Sequence, residues 1–231
     1  NVFTTKPIFL VFLSVILVSV FFILSSRKAS IVPSKFQFAG ESIYAFVRND
    51  LARDVIGHEF MRFVPYLFTL FTFILTNNIF GIVPFLQFPT MSRVSFPYVL
   101  AASVYLVFHY VGIRKQGAWK YFKEIMFMPG VPKAAYILIT PLELLTFLLV
   151  RPLTLSLRLF ANMSSGHIIL FTLIGFIFFF NTVAVSPVVT LFSIFIYFLE
   201  ILVTFLQAYI FTMLTAVFTG LVLGDHADDH H

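Results

Sequence analysis

The chain has 231 residues, 60% hydrophobic and 11% charged, with a mean hydropathy of +0.99. Soluble domains carry about 25% charged residues, so an ordinary soluble fold, a disordered chain and a nucleic-acid-binding domain are excluded. The net charge of +5 sits between apolar runs and reads as membrane topology, not as a surface for an acidic partner. The sequence has no cysteine, which removes disulfides, thiolate metal sites and a cysteine nucleophile.

A helix needs about 20 apolar residues to cross a bilayer core of about 30 Å. Pro7 to Leu24 is such a run. It lacks a small-residue cleavage site and is expected to be retained, although the chain opens on Asn1 rather than Met, which points to processing or to preceding sequence. Residues 1–35 thus hold the first span and its loop. Residues 36–62 mix charges (Glu41, Arg48, Asp50, Arg53, Asp54, Glu59, Arg62) with apolar residues at helical spacing (Phe38, Ile43, Phe46, Val47, Leu51, Val55). This pattern predicts an amphipathic helix lying along the interface. Residues 63–112 form a spanning hairpin whose second member, Pro97 to Val111, is short, and residues 113–133 form a basic loop. Residues 134–223 hold two long helices, Ala134 to Phe180 interrupted by Pro141 and Pro152, and Pro187 to Leu223. At 1.5 Å per residue each is too long for the core and must tilt strongly. Residues 224–231 are a solvated tail, whose histidines are expected to solubilise rather than to bind metal. The expected fold is an all-α polytopic membrane protein with five spans and one interfacial helix.

Orientation follows from the cations. Arg27, Lys28, Lys35, Arg48, Arg53, Arg62, Arg114, Lys115, Lys120, Lys123 and Lys133 fall on one side, and Lys6 and Arg93 on the other. That bias puts the N-terminus out and the C-terminus in. No internal repeat points to an inverted-repeat transporter. There is no HExxH, Gly-rich phosphate loop or nucleophile elbow.

Ionisable groups inside spans are expensive and mark function by default. Here they are Glu143, Arg151, Arg158, His167 and Glu200, with His109 assigned to the interface near a span end. Arg151 either snorkels to the interface or serves a local structural role. Arg158 stays charged at any working pH. Glu143 lies about 22 Å away along a helix, so the expected counter-charge of Arg158 is on another subunit; the alternative is a fixed internal acid. In an antiparallel hairpin joined near residues 181–187, His167 lies level with Glu200 and Arg158 with Gln207. A histidine opposite a carboxylate suits proton transfer; the alternative is a static ion pair. Asn162 shares the face of Arg158, and Ser164, Ser165 and Gly166 are small enough to admit a neighbouring helix. Asn77 and Asn78 either line a polar cavity or cap a span.

The stretch Arg151-Pro152-Leu153-Thr154-Leu155-Ser156-Leu157-Arg158-Leu159-Phe160-Ala161-Asn162-Met163-Ser164-Ser165-Gly166-His167 resembles the signature of subunit a of F-type ATP synthases. Leu206-Gln207-Ala208-Tyr209-Ile210-Phe211 resembles that family's last-helix motif, and Asn78-Ile79-Phe80-Gly81-Ile82-Val83-Pro84 its second-span motif. The resemblance implies two tilted helices curving along a ring of c subunits, with a b-subunit peripheral stalk as a further partner and membrane lipid around them. It implies that Arg158 faces the ring carboxylates. His167 and Glu200 would occupy the half-channel open to the proton-rich side. Glu143, Ser156 and Asn162 would lie near the other half-channel, and Gln207 along the proton path. The coupling ion would be H+, with no cofactor and no metal. The location would be a bacterial plasma membrane or a mitochondrial inner membrane. The spacing from Glu143 to Pro152 is one residue longer than in many members, and with the His-rich acidic tail it looks actinobacterial. Two other readings stand beside this one: a stand-alone channel or transporter whose buried Arg158 binds an anionic substrate, and a structural membrane subunit with buried ion pairs only.

Overall fold

The computed structural model describes residues 6–27, 34–57, 59–83, 95–126, 136–180 and 185–224. Lys28, Pro84, Arg93, Lys133 and the tail 225–231 lie outside the described residues. Among the described residues all regular structure is helical. Five segments are long and apolar enough to cross a membrane: Ile8–Ser26 in α1 (Lys6–Ser26), α4 (Val64–Ile82), α5 (Ser95–Gln116), Leu138–Phe179 and Ser186–Leu223. The fourth is compound: α7 (Tyr136–Leu145), a π-helical turn Thr146–Val150, and α8 (Arg151–Phe180). The fifth is α9 (Val185–Gly224), 40 residues, about 60 Å of helix.

The core forms where α9 packs against α8, α4, α5 and the short α3 (Asp54–Ile56). Its buried side chains include Leu67, Phe71 and Ile74 of α4, Ala101 and Val104 of α5, Leu155, Leu159 and Met163 of α8, and Ala208, Phe211 and Ala216 of α9. Large apolar residues on the outer faces, such as Phe195, Phe198 and Leu202 of α9, are exposed, as hydrocarbon allows and water would not.

The expected interfacial helix is broken into pieces. Helix α2 (Lys35–Phe46) starts at Ser34, whose side chain accepts from the Gln37 amide, a standard N-cap. A π turn (Val47–Arg53) and α3 follow, Gly57 ends the run, and a separate 3₁₀ turn covers Phe60–Arg62. Val47, Leu51, Ala52 and Ile56 are buried in the core. Of the apolar stripe read from the sequence, Val47 and Leu51 are therefore covered by protein, chiefly α4 and α9, and Ile43, Phe46 and Val55 partly so, while Phe38 stays exposed.

Helix α5 also departs from expectation. It runs for 22 residues, past Val111 to Gln116. Arg114 and Lys115 occupy its last turn, where cations complement the negative end of a helix. Gly117 follows at φ 83°, the left-handed conformation that closes helices. Much of the expected basic loop is in fact a helix, α6 (Ala118–Met126). It buries Tyr121 and exposes Trp119.

Gly220 of α9 faces the backbone of Val55. A Cβ there would stand 2.7 Å from the Val55 carbonyl oxygen, and backbone cannot step aside. Gly220→Ala is expected to destabilise the fold by about 1–3 kcal/mol, the cost of overpacking a filled contact. The check is the thermal unfolding midpoint of the detergent-solubilised protein. Gly175, with open space around it, serves as the tolerant control.

Candidate functional site

The antiparallel packing of α8 on α9 brings His167 to Glu200. His167 Nδ1 lies 2.9 Å from Glu200 Oε1 and 3.1 Å from the Met163 carbonyl oxygen. Glu200 Oε1 is buried and receives no aligned hydrogen bond, and the contact is an ion pair only while His167 is protonated. The other ring nitrogen, Nε2, is 3.0 Å from the Gly81 carbonyl oxygen. Nearby, the Tyr197 hydroxyl donates to the Ile82 carbonyl at 3.1 Å. Gly81 and Ile82 are the last two residues of α4, where carbonyls lack intrahelical partners. The end of one helix is thus satisfied by side chains from two others. Gly166 makes room: a Cβ there would come within 2.8 Å of Glu200 Oε1.

A cavity of about 370 Å³ opens onto this pair. Its α9 wall carries Thr190, Ser193, Tyr197 and Glu200 beside Ile194, and its α8 wall beyond His167 is apolar, with Leu170, Phe171, Ile174 and Ile177. Buried Thr204 and Gln207 continue the same line along α9. Asn78, on α4, donates to the Thr204 carbonyl at 3.4 Å. Asn77 donates to Ser14 Oγ of α1 at 3.0 Å. Both asparagine Oδ1 atoms are buried without a protein partner, so Asn77 and Asn78 are polar groups within the packed interior rather than caps.

Arg158 is placed differently. It lies near the middle of the Leu138–Phe179 segment and is exposed on the outer face of α8. It makes no hydrogen bond and no ion pair among the described residues. Thr154, Ala161 and Ser165, which share its face, are small and exposed, and Leu157 beside it is a large exposed side chain. It is level with Gln207 as the hairpin register requires, but the two do not bond: Gln207 points into the core and Arg158 out of it. Asn162 is half-buried, and Ser156 is buried with its hydroxyl donating to the Leu153 carbonyl at 2.9 Å.

Glu143 is already engaged. Its Oε1 is 3.3 Å from Arg151 Nη2. Eight residues of plain α-helix would leave these two side chains about 80° apart on the helical wheel. The π turn Thr146–Val150 holds more residues per revolution and removes much of that offset. The longer Glu143-to-Pro152 spacing noted in the sequence falls on this turn. The Arg151 guanidinium also stacks near Phe147 (5.5 Å) and Phe218 (5.7 Å), so it has a local structural role. Beside Phe147, and half-buried, lies His109, with ring contacts to Tyr105, Phe108 and Tyr121. It is part of an aromatic cluster rather than a residue at the span's end. Burial pushes the Tyr121 phenol well above its ordinary value, with Tyr105 adding to the shift and Arg151 opposing it.

The sequence reading missed Thr190, Ser193 and Tyr197. Together with Glu200, Thr204 and Gln207 they recur every three or four residues along an otherwise apolar helix, a polar stripe that could have been read directly. The carbonyls of Gly81 and Ile82 carry no such signal, because any residue supplies one.

The family model described as the ATP synthase A chain matches residues 8–220. A protein named ATP synthase subunit a from Nocardioides sp. is 46% identical over 98% of this chain and 83% of its own length. The protein of that name from Pseudarthrobacter chlorophenolicus is 44% identical over 98% of this chain and 86% of its own. Frankia alni has one that is 39% identical over 98% of this chain and 80% of its own. On this agreement along nearly the whole sequence, the chain belongs to the ATP synthase subunit a family.

Proposed function

We propose that this protein is the stator subunit of the membrane sector of an F-type ATP synthase, and that Arg158 is the fixed charge past which a ring of c subunits turns. The observation that carries this reading is the placement of Arg158. Both carboxylates on the long helices are taken, Glu143 by Arg151 and Glu200 by His167. Arg158 alone of the three buried-depth cations faces outward, among small side chains that let another helix approach. A guanidinium at membrane depth needs an anion, and a passing ring carboxylate would supply one.

In this reading the His167–Glu200 cavity is the inlet half-channel. Protons reach Glu200 along Thr190, Ser193 and Tyr197 and pass by way of Gln207 to a ring carboxylate. Once neutral, that carboxyl can turn through lipid, where its ionised form would cost several kcal/mol. It meets the second half-channel near Glu143, Ser156 and Asn162 and releases the proton there. The resulting carboxylate is drawn to Arg158, which takes no proton itself and so separates the two paths. The drive is about 2.3 kcal/mol per charge per 100 mV. The coupling ion is H+ and no cofactor takes part. The b-subunit stalk holds the chain against rotation. The membrane is a bacterial plasma membrane, with the N-terminus out and the C-terminus in.

Arg158→Ala is expected to bring ATP-driven proton pumping in inverted vesicles to background while the complex still assembles; pumping at the wild-type rate would refute the assignment. Glu200→Gln should slow pumping at least tenfold with assembly intact, and Gly166→Ala should slow it too by displacing the Glu200 carboxylate. Glu143→Gln leaves Arg151 unpaired in a half-buried site, a loss of about 1–2 kcal/mol between the surface and buried limits. The double variant Glu143→Gln/Arg151→Gln should regain thermal stability, and pumping that stays slow in it assigns Glu143 to the proton path rather than to structure alone.

A further inference from the structure

A second cavity, about 280 Å³, lies where α4 begins and α5 and α9 end. Its polar rim carries Arg62, Arg114 and Lys115 against a single carboxylate, Glu59. Lys115 Nζ is 3.4 Å from Glu59 Oε1. Arg114 spends its contacts on a neutral partner: its Nη1 donates to the Tyr110 hydroxyl at 2.9 Å, and its guanidinium lies 5.9 Å from that ring's centre. The Arg62 side chain makes no hydrogen bond or ion pair among the described residues. The rim is therefore cationic in net, with guanidinium capacity left over. The floor is apolar, formed by Phe63, Val111 and Leu223. Each floor residue lies near the end of a helix long enough to span, the level at which hydrocarbon gives way to headgroups.

Cations over an apolar floor at that level match the phosphate and glycerol of a phospholipid. A free phosphate would use the rim and leave the floor to water. The adjoining α6 has the same character: Trp119 is 86% exposed and Phe122 is exposed, with Lys120 and Lys123 on the same short helix, a composition typical of the membrane interface. We propose that this cavity binds the phosphate of an anionic phospholipid, held by Arg62, Arg114 and Lys115, with Glu59 limiting how much anionic charge it accepts. The proposal rests on the chain spanning a membrane and not on its role in proton transfer.

The test is photolabelling of the full chain in phosphatidylcholine vesicles containing a small fraction of photoactivatable phosphatidylglycerol. Label is expected on peptides covering residues 59–63 and 110–116. Arg62→Gln/Arg114→Gln should lower it by about tenfold or more, since each surface cation contributes several-fold to anionic lipid binding. Glu59→Gln should raise it, a gain that misfolding could not produce. Lys120→Gln/Lys123→Gln, outside the cavity, should change it less than Arg62→Gln/Arg114→Gln does. Equal labelling by photoactivatable phosphatidylcholine, or no loss in Arg62→Gln/Arg114→Gln, overturns the proposal. Displacement of the label by inorganic phosphate overturns it as well, by making the cavity a site for free anions. None of these readouts depends on proton flux, so failure here leaves the stator reading untouched.

Discussion

A charge held at membrane depth has to be answered by a partner, and the long helices of this chain answer all but one of theirs. Glu200 sits against His167 and Glu143 against Arg151. Each pair uses a specific local device: Gly166 clears space for the Glu200 carboxylate, and a π turn rotates Glu143 toward Arg151. Among the described residues, these pairings leave Arg158 as the uncompensated charge of α8. In water such an arginine would be unremarked, because solvent answers it. On the outer face of a spanning helix it is costly unless an anion, a backbone carbonyl or water meets it.

Helix α9 reverses the polarity familiar from soluble proteins. Its outward residues are Phe, Leu and Ile, while Glu200, Thr204, Gln207, Thr212, Thr215 and Thr219 are buried. Lipid is as apolar as a protein core, so burying leucine gains little and association relies on close packing and polar contacts. The threonines suit this, since Thr212, Thr215 and Thr219 each donate to the carbonyl four residues back and leave no donor unsatisfied in a dry interface. Gly220, pressed against the Val55 backbone, belongs to the same close packing.

Much of the architecture could be read from residue order alone. Hydropathy gave the five spans, and the constant-sum rule for an antiparallel hairpin set His167 opposite Glu200. The same rule put Arg158 level with Gln207 but could not say that one side chain points out and the other in, because level and facing are separate quantities. The Glu143–Arg151 pair was hidden by the π turn, which breaks the 100° step on which wheel arithmetic depends. The extension of α5 through Arg114 and Lys115 was lost by treating cations as the end of a helix, although cations favour its last turn. The carbonyls that receive His167 and Tyr197 are backbone groups, exposed by where α4 stops, and no side-chain pattern announces them.

The stripe on α9 also shows where a relay inside the chain would end. From Thr190 to Glu200 it borders a cavity, with the Thr190 and Ser193 hydroxyls donating to the carbonyl four residues back and Tyr197 to Ile82. Beyond Gln207 the buried positions are Ala208, Phe211 and Ala216, and the threonine hydroxyls among them are committed to their own helix. Facing this stretch, α8 contributes Leu155, Leu159 and Met163. Gln207, the last residue of the stripe whose side chain makes no hydrogen bond to its own helix among the described residues, falls at the level of Arg158. Under the stator reading, a proton that has come as far as Gln207 is level with an outward guanidinium, the feature that would hold an acceptor in place to take it.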